Sequence, residues 1–520
     1  MKNLLFLFTI VLLLFSCHSE ERNAFDDAIG LNTEIAYSEF IKNYPDGFYI
    51  NEAKDLRQKL DSINIIISTF LGNEQRNFYG DSLPDRLDTI WRFYLGEGLS
   101  PAYGKDKIWK GAGWTGQPLL VNENGQLFVI QGAYDYGIHK IDALTGKQKW
   151  EYKFDDILKG TATIWINKNA QKIENRYVII QGSRKGWNKD KSSKYCWSLR
   201  AVSYITGKEL WRHNSISTDS YSRDVDGSAL VINDTAYLAL ENAIFTVFNP
   251  DFTKGHKVEQ FISPKIYKEI KYYTIADTVA HGSDLVPEAS PTLLNNKIFT
   301  PSGTGWIYGY NIEKGKNDWE FYLGADLNGS LPVTFDNCFL VSIEKQYITG
   351  KGGVMKIDPT ITGEKAVKWF MPTDTVTWIH WEGGIVGSTT INEKTKKLDE
   401  PYIAVFLDCA GDLYFVDYEH VNKDTLVWGP NKKHKYHPPV LLAKIKAHPT
   451  ISTPIIVQNR VLAASDKGMY LYEFGFKNDV FIVELIDFIP EISCDATPIT
   501  WNGRIYIASL DGYLYCLGKK

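Results

Sequence analysis

Two patterns of hydrophobic and polar positions divide the chain. In its first part, up to residue 71, apolar residues recur at helical spacing, with Tyr37 and Phe40 on one helical face, and Pro45-Asp46-Gly47 interrupts this pattern. From Asp88 onward, short apolar runs alternate with turns rich in glycine, asparagine and aspartate, which is the pattern of β-strands. The sequence therefore predicts a short α-helical hairpin followed by a large all-β region.

The β region repeats one unit of sequence. Each unit has a small residue, an apolar strand, an Asn/Gly turn and further strands, of which the last commonly carries an aromatic residue. The units begin at Gly116, Gly160, Gly227, Ala289, Gly329, Gly387, Ser452 and Ala496. Repeats of this length and strand content are typical of the four-stranded blades of a β-propeller. We therefore predict an eight-bladed β-propeller over residues 88–520.

The two ends of this region predict how the ring closes. The last repeat, "DATPITWNGRIYIASLDGYLYCLGKK", contains only three strands, whereas "DTIWRFYLG" (88–96) is a lone strand of the outer, tryptophan-bearing type. The N-terminal strand would complete the last blade, so that the ring has no unpaired strand at its seam.

A recurring motif carries a family resemblance. The segments "IDALTGKQKW", "VSYITGKELW", "YNIEKGKNDW" and "DPTITGEKAVKW" resemble the repeat of pyrroloquinoline-quinone (PQQ)-type propellers. This group includes quinoprotein alcohol dehydrogenases and the non-enzymatic propeller lipoprotein of the outer-membrane β-barrel assembly machinery. The resemblance covers residues 88–520 and implies the propeller fold. It also implies that tryptophans such as Trp150 and Trp211 dock onto the neighbouring blade and give the indole N–H a backbone partner.

The N-terminus has the pattern of an export signal. Lys2 precedes a short apolar run at 4–15, and Ser16 stands directly before Cys17. This arrangement resembles a bacterial lipoprotein signal, with Cys17 as the lipidated residue; the alternative is a secretory signal with a chance cysteine. We expect residues 1–17 to be the signal, 18–71 an acidic start and helical hairpin, and 72–87 a linker. The expected location is the outer membrane, on its periplasmic or surface-exposed side.

Composition and charge narrow the classes of partner. The 520 residues include 44% hydrophobic residues, so the chain can bury a large core, and the formal net charge is −5. Acidic and basic residues are intermixed, so the basic surface that nucleic acid requires is missing from the sequence pattern. Apart from Cys17, the cysteines lie in mostly apolar runs without close spacing, which indicates buried free thiols.

Candidate ligand residues lie immediately before the repeat starts. Asp226, Glu288 and Asn328 precede three consecutive repeats, and Asp495 precedes the last one. Oxygen donors of this kind suit Ca²⁺, and the family resemblance implies a Glu, an Asn and an Asp around calcium and the quinone. We therefore take Asp226, Glu288 and Asn328 as candidate metal ligands. The further ligand-binding candidates are Arg223, Glu382 and Asp495. The alternative is that these polar residues only solvate a water-filled channel.

The sequence favours binding over catalysis. The adjacent cysteine pair of many quinoprotein dehydrogenases and the Cys-x-x-Cys-His haem motif do not occur in it, and no catalytic residue is predicted. We expect a lipid-anchored scaffold that binds an envelope protein or polymer through its propeller, with a role in outer-membrane protein assembly as its finer form. The rival hypothesis is an oxidoreductase that depends on PQQ and calcium. A third is carbohydrate capture by exposed aromatic residues.

Overall fold

The computed structural model describes residues 20–30, 34–60, 63–102, 104–185, 192–398 and 400–520. Cys17, the expected lipidation site, lies outside these residues. Among the described residues, no helix combines the length and the apolar character needed to cross a bilayer.

The described chain begins with the predicted helical hairpin. Helix α1 covers residues 20–30, α2 covers Glu34–Asn43 and α3 covers Ile50–Leu60. Phe25, Tyr37 and Phe40 are buried together in its core. Ile173, from a turn of the second blade, packs against this core. The hairpin therefore rests on the propeller, and its prediction is confirmed.

Four strands precede the first complete blade or are inserted beside it. They are β1 (Ile63–Ile67), β2 (Asp88–Tyr94), β3 (Glu97–Ala102) and β4 (Lys105–Lys110). Strands β3 and β4 pair with each other as a hairpin. Strand β1 pairs with the inner strand of blade 1, and β2 belongs to the last blade.

Eight antiparallel sheets form the ring, which confirms the predicted propeller. Blade 1 consists of β5 (Leu119–Glu123), β6 (Gln126–Gly132), β7 (Gly137–Asp142) and β8 (Gln148–Lys153). Blade 2 consists of β9 (Thr163–Ile166), β10 (Tyr177–Gly182), β11 (Leu199–Ser203) and β12 (Glu209–His213). Blade 3 consists of β13 (Leu230–Ile232), β14 (Thr235–Leu240), β15 (Ile244–Asn249), the inserted pair β16 (His256–Val258) and β17 (Phe261–Ser263), and β18 (Lys265–Lys271). Helix α4 (Ile275–His281) then leads to blade 4, which consists of β19 (Thr292–Leu294), β20 (Lys297–Pro301), β21 (Trp306–Asn311) and β22 (Lys316–Tyr322).

The second half of the ring follows the same plan. Blade 5 consists of β23 (Phe339–Ile343), β24 (Gly353–Ile357) and β25 (Val367–Pro372), and a single bridge from Val333 to Phe339 marks its inner edge. Blade 6 consists of β26 (Thr390–Ile391), β27 (Ile403–Leu407), β28 (Asp412–Val421), the inserted pair β29 (Val427–Trp428) and β30 (Lys435–Tyr436), and β31 (Pro439–Lys446). Blade 7 consists of β32 (Ile455–Val457), β33 (Arg460–Ser465), β34 (Gly468–Lys477) and β35 (Val480–Ile489). Blade 8 consists of β36 (Ile499–Trp501), β37 (Arg504–Ala508), β38 (Tyr513–Gly518) and β2.

The ring closes where the sequence predicts. Strand β2 pairs antiparallel with β38, from Asp88 opposite Gly518 to Tyr94 opposite Tyr513. Strand β2, from the N-terminal part of the chain, thus becomes the outer strand of the last blade. This pairing joins the two ends of the chain and removes the open edge that an incomplete blade would leave.

The repeated tryptophans hold neighbouring blades together. The indole N–H of Trp150, in blade 1, donates to the Tyr204 carbonyl in blade 2 at 2.9 Å. Gly207 has a φ of 70°, and a Cβ atom there would lie 2.9 Å from the Trp150 ring. The turn therefore needs glycine both for its left-handed backbone and for the ring that lies on it. Equivalent indole bonds join Trp91 to Ala143, Trp211 to Pro250, Trp319 to Ile361 and Trp369 to Tyr418.

The segment after the hairpin differs from the sequence expectation. The sequence predicts that residues 63–71 continue the hairpin and that 72–87 form a linker, but β1 extends blade 1 as an additional innermost strand. Residues 68–83, which we call the channel segment, then follow the inner strands of the other blades. The Glu74 carbonyl accepts from the Leu293 N–H at 2.8 Å, and the Tyr79 carbonyl accepts from the Thr500 N–H at 3.1 Å. The polar composition that resembles a linker therefore satisfies backbone groups of the inner strands.

Arg76 anchors the channel segment at its centre. Its side chain is fully buried, and its guanidinium donates to the carbonyl of Pro291 in blade 4 and to the carbonyl of Phe70 at 2.8 Å. Asn77 donates to the Val333 carbonyl in blade 5 at 3.0 Å. Because the inner strands surround the axis of a propeller, these bonds place the channel segment across the central channel.

Candidate functional site

The connections between successive blades lie on one face of the ring. Each connection runs from the outer strand of one blade to the inner strand of the next, so the residues directly before the inner strands share that face. Asp226, Glu288, Asn328 and Asp495 occupy such positions. We call this end of the channel the mouth. The channel segment lies further along the axis and closes the channel beneath the mouth.

Two of the predicted ligand residues come together with a third carboxylate. Asp226, Glu241 and Glu288 each offer an oxygen, and these three oxygens lie within 4.8 Å of one another. We call this group the acidic trio. The side chains of Asp226 and Glu241 are each 1% exposed. The role of Asp226 and Glu288 as ligand residues stays a prediction. The short distances between their oxygens suit a shared cationic ligand.

Two basic groups balance part of the charge around the trio. The Lys159 ammonium lies 2.7 Å from the Asp226 carboxylate, and the Arg184 guanidinium lies 2.9 Å from Asp224. Glu241 accepts a hydrogen bond from the Ser222 hydroxyl at 2.6 Å, while its other oxygen has no hydrogen-bond partner. Within the described ranges, no lysine, arginine or histidine lies at ion-pair distance from Glu241 or Glu288.

Asn328 belongs to a separate group beside the trio. Its amide nitrogen donates to Glu344 at 2.6 Å and to Asp326 at 3.2 Å. Each of these three side chains also has a buried oxygen without a hydrogen-bond partner. We call Asp326 and Glu344 the acidic pair. The acidic pair engages the amide nitrogen of Asn328, while its Oδ1, the atom that would ligate a metal, has no hydrogen-bond partner.

Burial and mutual repulsion raise the pKa values of these carboxyl groups. Desolvation is the largest cause at Glu288, where the pKa rises to about 7; the nearby Lys159 ammonium opposes this rise and Asp226 adds to it. The pKa values of Glu241, Asp326 and Glu344 are raised well above their ordinary range, first by burial and then by neighbouring carboxylates. A ligand that brings positive charge would relieve both effects, since it would replace the lost hydration and offset the repulsion.

The other predicted site residues lie apart from the acidic trio. Arg223 is buried and donates to the carbonyls of Ser215 and Ser193, each at 2.7 Å. Glu382 is largely exposed, with its carboxylate 3.8 Å from the Lys345 ammonium. Asp495 has its pKa raised to about 6, chiefly by burial. Among the residues that the structure describes, no hydrogen bond or ion pair joins any of these three side chains to the trio.

Glu241 and Glu344 are acidic residues of the mouth that the sequence analysis missed, because they do not precede a repeat start. Each directly follows the second strand of its blade, β14 or β23. In an antiparallel pair, the end of the second strand lies beside the beginning of the first. Asp408 and Asp466 occupy the same position after β27 and β33. An acidic residue directly after the second apolar strand was therefore the available sequence signal.

A further cluster of ligand-type residues is internally satisfied. Asp135, His139 and Glu151 in blade 1 also offer atoms within 4.8 Å of one another. The Asp135 carboxylate contacts His139 at 3.1 Å and is paired with Lys153, which also pairs with Glu151. The lysine supplies the positive charge there, so this cluster is a structural network.

The raised pKa values predict how stability depends on pH. An unfolded glutamate loses its proton near its ordinary pKa, whereas folded Glu288 holds its proton up to about pH 7. The folded state therefore binds more protons in this window, and stability is expected to fall as the pH rises from about 5 to about 7. Calorimetric melting temperatures across this range should show the decline. Glu288→Gln should make it shallower, and exposed Glu382→Gln should leave it unchanged; equal slopes for all three proteins would contradict this origin.

Comparisons with known proteins agree on the fold. No protein-family model and no curated protein matches the sequence. A quinohemoprotein alcohol dehydrogenase from Comamonas testosteroni is 13% identical, with a TM-score of 0.51 over 88% of this chain and 81% of its own. A europium-containing methanol dehydrogenase is 11% identical, with a TM-score of 0.52 over 85% of this chain and 89% of its own. BamB from Moraxella catarrhalis is 12% identical, with a TM-score of 0.48 over 84% of this chain and 98% of its own. At these identities the likeness extends to the propeller fold alone.

Proposed function

We propose that this protein is a lipid-anchored binding protein of the bacterial envelope that recognises a positively charged group of another envelope protein at the mouth of its propeller. The observation that carries the proposal is a set of carboxyl groups with no basic side chain at ion-pair distance among the described residues: buried Glu241, Asp326 and Glu344 and half-buried Glu288. Isolated buried carboxylates are costly unless a counter-charge pairs with them. A cationic ligand supplies that counter-charge.

The closed channel supports recognition in preference to passage. Phe70, Leu71 and Arg76 of the channel segment are fully buried within the ring. A ligand that enters at the mouth therefore leaves by the mouth. Rigid propeller walls also hold the carboxylates in fixed positions, so little conformational entropy is lost when the ligand binds.

The surroundings of the mouth favour a polypeptide ligand. Ile275 and Val279 of α4 are 84% and 82% exposed, and Ile379, in the connection before β26, is 71% exposed. These apolar side chains are on connections between blades, on the same face as the carboxylates. A peptide with an arginine or lysine between apolar residues would fit this site. Its charge would contact the carboxylates in the mouth, and its apolar side chains would pack against the exposed apolar residues around it.

The membrane tether and the assembly role are the finer parts of the proposal. The tether rests on the lipoprotein-like pattern that ends at Cys17, and the outer membrane is the proposed location. A scaffold role in outer-membrane protein assembly rests on the resemblance of the repeat to the assembly-machinery lipoprotein. Labelling of the full-length protein with a radioactive fatty acid, and its loss in Cys17→Ser, would test the tether.

The recognition step is tested with a cationic peptide probe. A capped tripeptide of leucine, arginine and leucine should bind the protein, and the citrulline analogue should bind at least about tenfold more weakly. The double variant Glu241→Gln with Glu288→Gln should weaken binding of the arginine probe by a similar factor, whereas Glu382→Gln should keep it within about twofold. Calorimetric titration measures each affinity. Equal binding of both peptides, or no effect of the double variant, would refute the proposal.

One observation favours a second candidate function, a PQQ- and calcium-dependent oxidoreductase. The trio offers oxygens within 4.8 Å of one another, and Oδ1 of Asp226 and Oε1 of Glu241 are buried without a hydrogen-bond partner, while Oδ2 of Asp226 contacts the Lys159 ammonium. These donors fit a hard divalent cation, which Asp226, Glu241 and Glu288 would hold. When bound, such a cation acts as a Lewis acid toward a coordinated carbonyl. Asn328 donates its amide nitrogen to Glu344 and keeps its Oδ1 without a hydrogen-bond partner.

Cation and quinone titrations separate the two candidates. Terbium luminescence, sensitised by nearby tyrosines and reversed by calcium, would report a cation site. Calcium-dependent absorbance changes on addition of PQQ, followed by dye reduction with an alcohol, would support the oxidoreductase. If calcium fails to compete with terbium and PQQ leaves the spectrum unchanged, the oxidoreductase hypothesis is refuted. This outcome does not affect the interpretation of the peptide titration.

A further inference from the structure

The outer strand of blade 7 is unusually apolar for an edge strand. Strand β35 reads "VFIVELIDFI", so eight of its ten residues are apolar. Val480 is 61% exposed and Leu485 is 54% exposed. Strand β34 is its one strand neighbour in the described sheets. The other edge of β35 thus presents unpaired backbone groups next to exposed apolar side chains.

The other outer strands of the same ring are protected differently. A lysine or arginine within an edge strand discourages pairing with foreign strands, because adding a strand would bury its charge. Every other outer strand contains at least one such residue, and β35 contains none. The basic residues are Lys149 and Lys153 in β8, Arg212 in β12, three lysines in β18, Lys316 in β22, Lys368 in β25, Lys444 and Lys446 in β31, and Arg92 in β2.

The geometry of the blade also leaves room for an additional strand. Strands β34 and β35 each have ten residues and pair from Lys477 opposite Val480 to Met469 opposite Ile489. Phe476, near the tip of this hairpin, is 52% exposed. A single register irregularity lies near Leu485, so the stretch from residue 480 to 485 is a regular edge of six residues. Six residues suffice for a short β-ladder.

The charge around this edge identifies the occupant. Between residues 477 and 491 there are four acidic residues and one basic residue, Lys477. Lys477 pairs with Glu484 at 2.6 Å, and the Asp487 carboxylate accepts from the Leu87 N–H at 2.8 Å. A second copy of the chain would bring the same excess of acid to the interface. A strand with basic residues between apolar ones would instead offset it.

We propose that β35 binds an extended segment of a partner protein by strand addition, and that this segment alternates apolar and basic residues. The segment becomes the fifth strand of blade 7. Backbone hydrogen bonds along the edge supply affinity, while the apolar and acidic side chains of β35 select the sequence. This surface lies on the circumference of the ring, so it is a second interaction surface that does not depend on the mouth.

A peptide probe tests strand addition on the full-length protein. An eight-residue fluorescent peptide of alternating valine and lysine should bind, as measured by fluorescence anisotropy. The same peptide with alternate backbone nitrogens methylated keeps its charge but loses hydrogen-bond donors on one edge, and it should bind at least about tenfold more weakly. A valine and glutamate peptide should also bind at least about tenfold more weakly. Equal binding of the methylated peptide would overturn strand addition.

Matched variants locate the site and separate it from the mouth. Leu485→Lys should weaken peptide binding by about tenfold, since it introduces the protection that the other outer strands have. Leu441→Lys, at an exposed position of β31, is the matched control and should leave binding unchanged. Because the mouth would also accept lysine between apolar residues, both variants are made in the Glu241→Gln and Glu288→Gln background, where the remaining peptide binding should be that of β35. Unchanged binding in Leu485→Lys, or a dimer in ultracentrifugation that Leu485→Lys dissociates, would overturn the proposal.

Discussion

Replacing Gly80 with alanine is expected to detach the channel segment from blade 8. Gly80 has a φ of 134°, and a Cβ atom there would lie 1.7 Å from the backbone oxygen of Thr500. The obstacle is backbone, so a side-chain rotation cannot relieve it. Overpacking costs about 1–3 kcal/mol and a left-handed backbone about 1–2 kcal/mol more, so we expect unfolding to become easier by about 3 kcal/mol.

A matched glycine controls for the loss of glycine itself. Gly475, in β34, has no neighbouring atom within 4 Å of its added Cβ and has no left-handed φ. Gly475→Ala should therefore change the free energy of unfolding by less than about 0.5 kcal/mol. Denaturant titration measures both variants, and limited proteolysis after residue 60 reports whether the channel segment is released in Gly80→Ala. Equal stability of the two variants would show that the segment is not held as described.

Replacing Trp211 with alanine should have a comparable or larger effect. Trp211 is fully buried in blade 2, packs edge-on against Phe248 at 5.6 Å and donates to the Pro250 carbonyl at 2.7 Å in blade 3. Truncation of a buried tryptophan costs about 3–5 kcal/mol, because it removes apolar contacts and leaves a cavity. The lost stability should come from the contact between blades 2 and 3.

An exposed tryptophan supplies the comparison for this prediction. Trp428, in β29, is 51% exposed, and Trp428→Ala should cost less than about 0.5 kcal/mol. Trp211→Phe should recover part of the loss, since it restores ring packing but not the hydrogen bond. Denaturant unfolding of the three variants gives these differences. If Trp211→Ala were no worse than Trp428→Ala, the tryptophans would not be the joints between blades.

The two proposed binding surfaces differ in the physics that would drive them. At the mouth, buried carboxylates provide a strong local field, so binding should depend on the charge of the ligand and on the pH. At β35, backbone hydrogen bonds and apolar contacts dominate, so binding should depend on whether the partner can form a strand. A lipid-anchored platform with two such surfaces would hold two envelope components close to each other.

The sequence by itself determined the ring. Its repeat starts locate the inner strands closely: Gly116 precedes the first residue of β5, Leu119, by three positions. The closing strand β2 and the tryptophan joints were also readable from the chain. Each of these features is local or periodic: strand alternation and turn glycines recur around the ring, and the outer-strand tryptophan recurs in blades 1, 2, 4, 5 and 8.

Only the tertiary structure decided the contents of the channel. The stretch 72–87 has no hydrophobic period, so it resembles a linker, yet its backbone and side chains pair with inner strands far away in sequence. Glu241 joins Asp226 and Glu288 because antiparallel pairing brings the end of β14 to the mouth. Asn328 is engaged by Glu344 for the same reason. These contacts depend on how eight blades converge on one axis, which no local pattern along the chain specifies.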